Sequence, residues 1–224
     1  MKTVTLEKGL YTLDCAIPRT PPRGILYLHS PVEGQKLPEE LLERMGTICV
    51  CILGENWDND LTPWPAPGVF DRREPFGGCA DRYLERLMGE LLPLAENRLG
   101  AGGLPRGIAG ISLSGLFAVY AAVKTGGFSQ VCSVSGSLWY DGFLDYLAAH
   151  PIPSAIQRAY FSVGDREKYT TNPRMRQVED CTRQAEALFR AQGIETCFER
   201  NRGSHYVDGD VRLEKGLRFL LREG

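Results

Sequence analysis

A serine between a strand and a helix, followed much later by two acids and a histidine, is the part of this sequence that could carry out chemistry. The serine is Ser112, in Ile108-Ala109-Gly110-Ile111-Ser112-Leu113-Ser114-Gly115. In a strand-to-helix turn this tight, the residues two before and two after the central serine approach each other, and only small side chains fit there. Gly110 and Ser114 meet that demand. The turn holds the Ser112 hydroxyl above the sheet edge, facing the free N–H groups of the helix that begins at Leu113. A nucleophile with an oxyanion to stabilise needs that arrangement. Two other roles stand beside it: Ser112 as a plain helix cap, and Ser114, standing where G-x-S-x-G has its second glycine, as the active hydroxyl.

A serine hydroxyl is a weak nucleophile at neutral pH, so a base must take its proton, and histidine, with an ordinary pKa of about 6.5, is the usual choice. The chain has three histidines. His29 ends an apolar run and His150 precedes Pro151 in a turn, whereas His205 lies in the polar, glycine-containing stretch Asn201-Arg202-Gly203-Ser204-His205-Tyr206. The base in turn needs a carboxylate to fix its tautomer. Tyr160-Phe161-Ser162-Val163-Gly164 is followed by Asp165-Arg166-Glu167, two acids on one loop. Asp165 stands closer to the strand and Glu167 has the longer reach; the one not used is expected to pair with Arg166 or Lys168 in solvent. Asp208 and Asp210 read as caps of the final helix.

These residues must be positioned by the elements around them. Thr3 to Glu7 and Tyr11 to Ile17 alternate as two antiparallel strands joined at Lys8-Gly9. Gly24 to His29 and Thr47 to Leu53 are nearly continuous apolar runs, the pattern of strands buried on both faces, with a helix over Pro38 to Met45 between them. Glu55 to Gly78 is rich in proline and glycine without a period, and predicts a long surface segment near the site. Helices and strands then alternate: helix 80–98, strand 107–111, helix 113–125, strand 130–134, helix 142–149, strand 159–163, helix 173–192, strand 194–200 and helix 211–221. Such alternation implies parallel βαβ crossovers, hence a single α/β domain: a mostly parallel twisted sheet with an N-terminal antiparallel hairpin and helices on both faces. Ligands in such sheets lie outside the carboxyl ends of the strands, where His29-Ser30, Ser112, Asp165 to Glu167 and His205 fall.

Composition narrows the classes of function. The 224 residues are 43% hydrophobic and 24% charged, enough for one sizeable core. A net charge of -2 leaves no basic field for a phosphate backbone, which argues against nucleic acid. The apolar runs fall far short of the ~20 residues of a membrane span, and the N-terminus lacks the apolar stretch of a signal peptide, so the expected location is cytoplasmic. Seven cysteines, none in Cys-x-x-Cys spacing, read as reduced packing residues. Without His-Glu-x-x-His or a phosphate-cradling glycine loop after a strand, neither metal nor organic cofactor is expected.

The chain resembles the esterase D-like branch of the α/β-hydrolase superfamily over nearly its whole length. The resemblance rests on Ala109 to Ala118, on Ser135-Gly136-Ser137-Leu138-Trp139-Tyr140, on Val163-Gly164-Asp165-Arg166-Glu167 and on Gly203-Ser204-His205, in the order nucleophile, acid, histidine. It implies a serine hydrolase acting on a small-molecule ester, with Ser112 as nucleophile and His205 as base. It also favours Glu167, three residues after the glycine that ends its strand, over Asp165. An oxyanion hole in such enzymes combines the N–H of Leu113 with one from His29-Ser30-Pro31-Val32-Glu33-Gly34, where Pro31 cannot donate and either Ser30 or Val32 must. Trp64, Trp139 and Tyr140 are candidates for a partly apolar substrate pocket, although tryptophans here also suit loop anchoring; Arg72, Arg73 and Arg174 could hold an anionic substrate. The rival expectations are a silent ligand- or partner-binding member of the fold and a thioesterase or amidase.

Overall fold

The computed structural model describes residues 1–29, 36–69 and 74–222. Eight strands form one sheet in the order β1-β2-β4-β3-β5-β6-β7-β8. β1 (Lys2–Lys8) and β2 (Tyr11–Ile17) pair antiparallel at one edge, and β2 joins β4 (Thr47–Leu53) antiparallel. From β4 through β3 (Gly24–His29), β5 (Arg106–Ile111), β6 (Gln130–Val134), β7 (Arg158–Gly164) and β8 (Glu195–Asn201) all pairing is parallel. The chain leaves β3 for β4 on one side and returns to β5 on the other. That reversal opens a crevice at the carboxyl ends of β3 and β5, with His29 in register with Gly110.

Two apolar clusters cover the two sheet faces. The larger gathers Tyr27, Val50, Ile108 and Phe161 with α3 (Ala80–Arg86), α4 (Leu92–Leu99), α5 (Leu113–Thr125), α6 (Phe143–Ala149) and α7 (Val178–Ala191). The smaller packs Leu28, Cys49, Ala109 and Val134 against α1 (Glu39–Met45) and α8 (Gly209–Leu220). Alternating β3 and β5 residues thus serve opposite clusters, as a two-residue side-chain period requires. All seven cysteines are free.

Three segments differ from the sequence expectation. The single helix expected over 80–98 widens into a π-turn at Leu87–Leu91 before Pro93, which has no N–H to continue an i→i−4 ladder. The helix expected from 173 starts as a 3₁₀ turn, Met175–Gln177, before α7. Glu55 to Gly78 is more than a surface segment: in its described part Asn56, Asp58, Pro65 and Glu74 are exposed, while Leu61, Thr62, Ala66 and Phe76 are buried in the core. It is ordered by α2 (Trp57–Asp60), capped by Asn56, by a mutual backbone bridge between Ala66 and Phe76, and by the Thr62 hydroxyl, which donates to Asp58 O and accepts from Gly78 N–H. Local hydrogen bonds of that kind leave no apolar period to read. Among the described residues no helix is long and apolar enough to cross a membrane.

Candidate active site

The turn after β5 is as tight as its small residues require. Ser112 sits at φ 63°, ψ -124°, a region costly for a side-chain-bearing residue, and a Cβ on Gly110 would lie 2.2 Å from Ser114 C. Ser114 is wholly buried; its hydroxyl accepts from Ile111 N–H and donates to Ile111 O, each at 2.8 Å. It closes the turn, its donor and an acceptor site both taken up by Ile111. Ser112 makes no side-chain cap to α5, so plain capping does not account for it either. Its backbone is tied to β6 and the turn beyond it, through Ser112 N–H to Val134 O and Ser137 N–H to Ser112 O.

The loop between β8 and α8 brings His205 over this turn, with Nε2 3.1 Å from Ser112 Oγ and Nδ1 2.8 Å from Glu167 Oε2. Of the two acids, Glu167 is the one that meets the imidazole. Asp165 instead accepts the Gly203 N–H at 2.8 Å and steadies the turn that carries His205. Lys168, a candidate partner of the spare acid, pairs with Glu179. Glu167 is buried, and Oε1 accepts from Ser135 Oγ at 2.7 Å, Gly164 N–H at 2.5 Å and Arg212 Nη1 at 3.0 Å. Burial alone would push this carboxyl up; the hydrogen bond and charge of His205, the Ser135 hydroxyl and the Gly164 N–H outweigh it and hold it below the usual range. An ionised carboxylate only accepts, so His205 Nδ1 carries a hydrogen, and in the neutral imidazole Nε2 then offers its lone pair to Ser112.

A cavity of about 90 Å³ opens beside Ser112, Leu113 and His205. Trp57, Val69, Phe76, Trp139, Met175 and Val178 make it mainly apolar, and Asp58 adds a charge. Leu113, which lines the cavity, is the first helical residue, and its N–H has no intrahelical acceptor. Ser30 and Val32, the alternative second donors, lie outside the described residues, as do Arg72 and Arg73.

Of the three aromatic candidates only Trp139 lines the cavity. Trp64 and Tyr140 lie behind it: the Trp64 indole donates to Asp141 O at 2.8 Å, and the buried Tyr140 hydroxyl donates to Trp64 O at 2.5 Å. Their polar tips serve loop closure. Arg174 is also committed elsewhere, pairing with Asp141 at 3.0 Å, donating to Pro67 O and covering the Trp139 ring. Sequence reasoning missed Ser135 as a partner of the acid and missed Arg212 altogether. Both leave a trace: Ser135 is a non-glycine residue at φ 46°, inside a Ser-Gly-Ser turn, and Arg212 interrupts the buried stripe of Gly216 and Leu220 on α8 at four-residue spacing.

A family model described as "Putative esterase" matches residues 43–208. The Uncharacterized protein YbbA of Bacillus subtilis (strain 168) is 28% identical over 183 residues, covering 79% of this chain and 70% of that protein. Among solved structures, the siderophore hydrolase EstA from Aspergillus nidulans superposes with a TM-score of 0.76 at 19% identity, over 98% of this chain and 93% of its own. An IroE-like serine hydrolase from Shewanella oneidensis gives 0.76 at 19% identity, over 97% and 78%.

Proposed function

The chain belongs to this esterase family and has the α/β-hydrolase fold, and from that premise we propose that it is a serine hydrolase of small carboxylic esters acting through an acyl-enzyme. The observation that carries the reading is the continuous relay from Ser112 Oγ through His205 to Glu167 beside an apolar cavity. His205 Nε2 takes the Ser112 proton as Oγ attacks the ester carbonyl carbon. Glu167 stabilises the imidazolium. The oxyanion accepts the Leu113 N–H and a second donor from the loop after β3, each worth roughly 3–4 kcal/mol in the transition state. Collapse of the tetrahedral intermediate expels the alcohol, protonated by His205; water, deprotonated by the same imidazole, then attacks the acyl-enzyme, releases the acid and restores Ser112.

The apolar lining suits a compact or aromatic acyl group. The name borne by the Aspergillus neighbour places siderophore esters in the assay panel beside short p-nitrophenyl esters. Wild-type protein is expected to hydrolyse at least one of these esters and to take up one equivalent of a fluorophosphonate label at Ser112. Absence of both turnover and label would remove the hydrolase reading and leave a ligand-binding member of the fold.

A further inference from the structure

Arg212 is the one guanidinium among the described residues that is both fully buried and in contact with the proposed acid. It projects from the first turns of α8 and meets Oε1 of Glu167, while His205 meets Oε2. Four hydrogen bonds use two of its nitrogens. Nη1 donates to Ser135 Oγ at 3.1 Å and Glu167 Oε1 at 3.0 Å, while Nη2 donates to Arg202 O at 3.2 Å and Ser204 O at 2.9 Å. Ser204 O belongs to the peptide that enters His205. One planar group thus grips the acid with one nitrogen and the backbone carrying the base with the other. Gly164 shows how closely this junction is packed: a Cβ there would lie 2.4 Å from Gly203 O, 2.8 Å from Glu167 Oε1 and 2.9 Å from Arg212 Nη2.

A buried carboxylate beside a neutral imidazole would be an uncompensated charge, which is costly. In the resting site Arg212 is its counter-ion. It also occupies Oε1, together with Ser135 and Gly164, so that Oε2 is the oxygen left for His205. We infer that Arg212 is a positioning residue of the triad, which keeps Glu167 ionised and holds acid and base in register through α8. The inference rests on the hydrolase reading above. Lysine could keep the charge but lacks the planar fork that reaches both partners.

Among the described residues the other charged groups near the relay include Arg166 and Arg202, both exposed. Asp165 on the β7 loop is turned to Gly203 N–H, Lys168 is paired with Glu179 on α7, Asp58 lines the cavity from α2, and Asp208 precedes α8. Removing the Arg212 cation leaves the Glu167 charge uncompensated, which favours protonated imidazole and protonated carboxyl alike.

The test is the pH profile of kcat/KM for an ester that wild type hydrolyses, with active sites counted by fluorophosphonate. Arg212→Met is expected to lower kcat about tenfold or more with KM little changed, and to move the acid limb up by about one pH unit. Arg212→Lys is expected to restore the limb while recovering only part of kcat. Arg218→Met, on the same helix and bonded to Glu214 alone among the described residues, controls for lost charge and is expected to match wild type. If Arg212→Met does not fold, Arg212→Gln takes its place with the same expected shift. A limb that stays at the wild-type pH in folded, labelled Arg212 variants overturns the inference and leaves the hydrolase reading intact. A wild type that neither labels nor turns over removes the hydrolase reading itself.

Discussion

At the scale of single residues, the site depends on which of several similar groups points where. Ser112 and Ser114 are two positions apart, yet one hydroxyl meets an imidazole and the other is locked into its own turn. Ser112→Ala and His205→Ala are each expected to lower kcat by about 10⁴-fold or more, read with the ester panel. Ser114→Ala should keep fluorophosphonate labelling while losing about 1–3 kcal/mol of stability from an unsatisfied Ile111 N–H, measured by urea unfolding. The acids separate in the same way. Glu167→Gln is expected to cost on the order of 10³–10⁴ in kcat, whereas Asp165→Asn, which weakens only the Gly203 contact, should cost about tenfold or less. Equal losses for the two would contradict the assignment of Glu167.

At the scale of elements, the pieces that carry function are joints. The β5–α5 joint was legible in the sequence because sterics there are local: small residues two before and two after Ser112 admit few alternatives. Gly110→Ala tests this, since a methyl 2.2 Å from Ser114 C cannot be accommodated without moving the turn. A loss of at least about 1–3 kcal/mol in urea unfolding is expected, together with loss of the label in whatever protein folds. The β7 and β8 joints are less local. Asp165 N–H binds Asn201 O and Arg166 N–H binds Gly203 O, so the acid's loop is shaped by the base's loop some 38 positions away. That the surface segment over 55–78 also reaches into the core was not legible for a related reason. Thr62, Asn56 and Asn59 look like loop residues in the sequence, but their hydrogen bonds are what allow Leu61 and Phe76 to be buried.

At the scale of the whole molecule, two buried titratable groups outside the relay set opposing pH dependences of stability. His29, wholly buried with Nε2 2.9 Å from the Tyr83 hydroxyl and Nδ1 without a partner among the described residues, is pushed down from 6.5 to about 3 by burial. Its depressed value means that stability is lost as pH falls from 6.5 towards 3. Glu55, whose two oxygens are buried, is pushed up from 4.5 to about 7, chiefly by burial, with its own backbone N–H opposing and the Asp60 charge adding. Its raised value means that stability is lost as pH rises from 4.5 towards 7. Each contributes up to ~1.4 kcal/mol per pH unit, and between 4.5 and 6.5 the two slopes oppose each other. Relative to wild type, His29→Gln should therefore lose stability with rising pH across that window, and Glu55→Gln with falling pH. Urea midpoints measured at several pH values decide it; parallel curves for all three proteins would contradict both assignments.

Periodicity and local sterics were enough to order the strands and helices and to mark the serine turn, because a two-residue or 3.6-residue repeat and a crowded turn are properties of neighbouring residues. The family resemblance favoured Glu167 over Asp165, but only the three-dimensional structure shows Glu167 against the imidazole, Trp64 and Tyr140 closing a loop while Trp139 lines the cavity, and an arginine from the last helix reaching the acid. Those outcomes follow from the direction in which side chains leave loops that different strands hold together, and no stretch of adjacent residues contains that information.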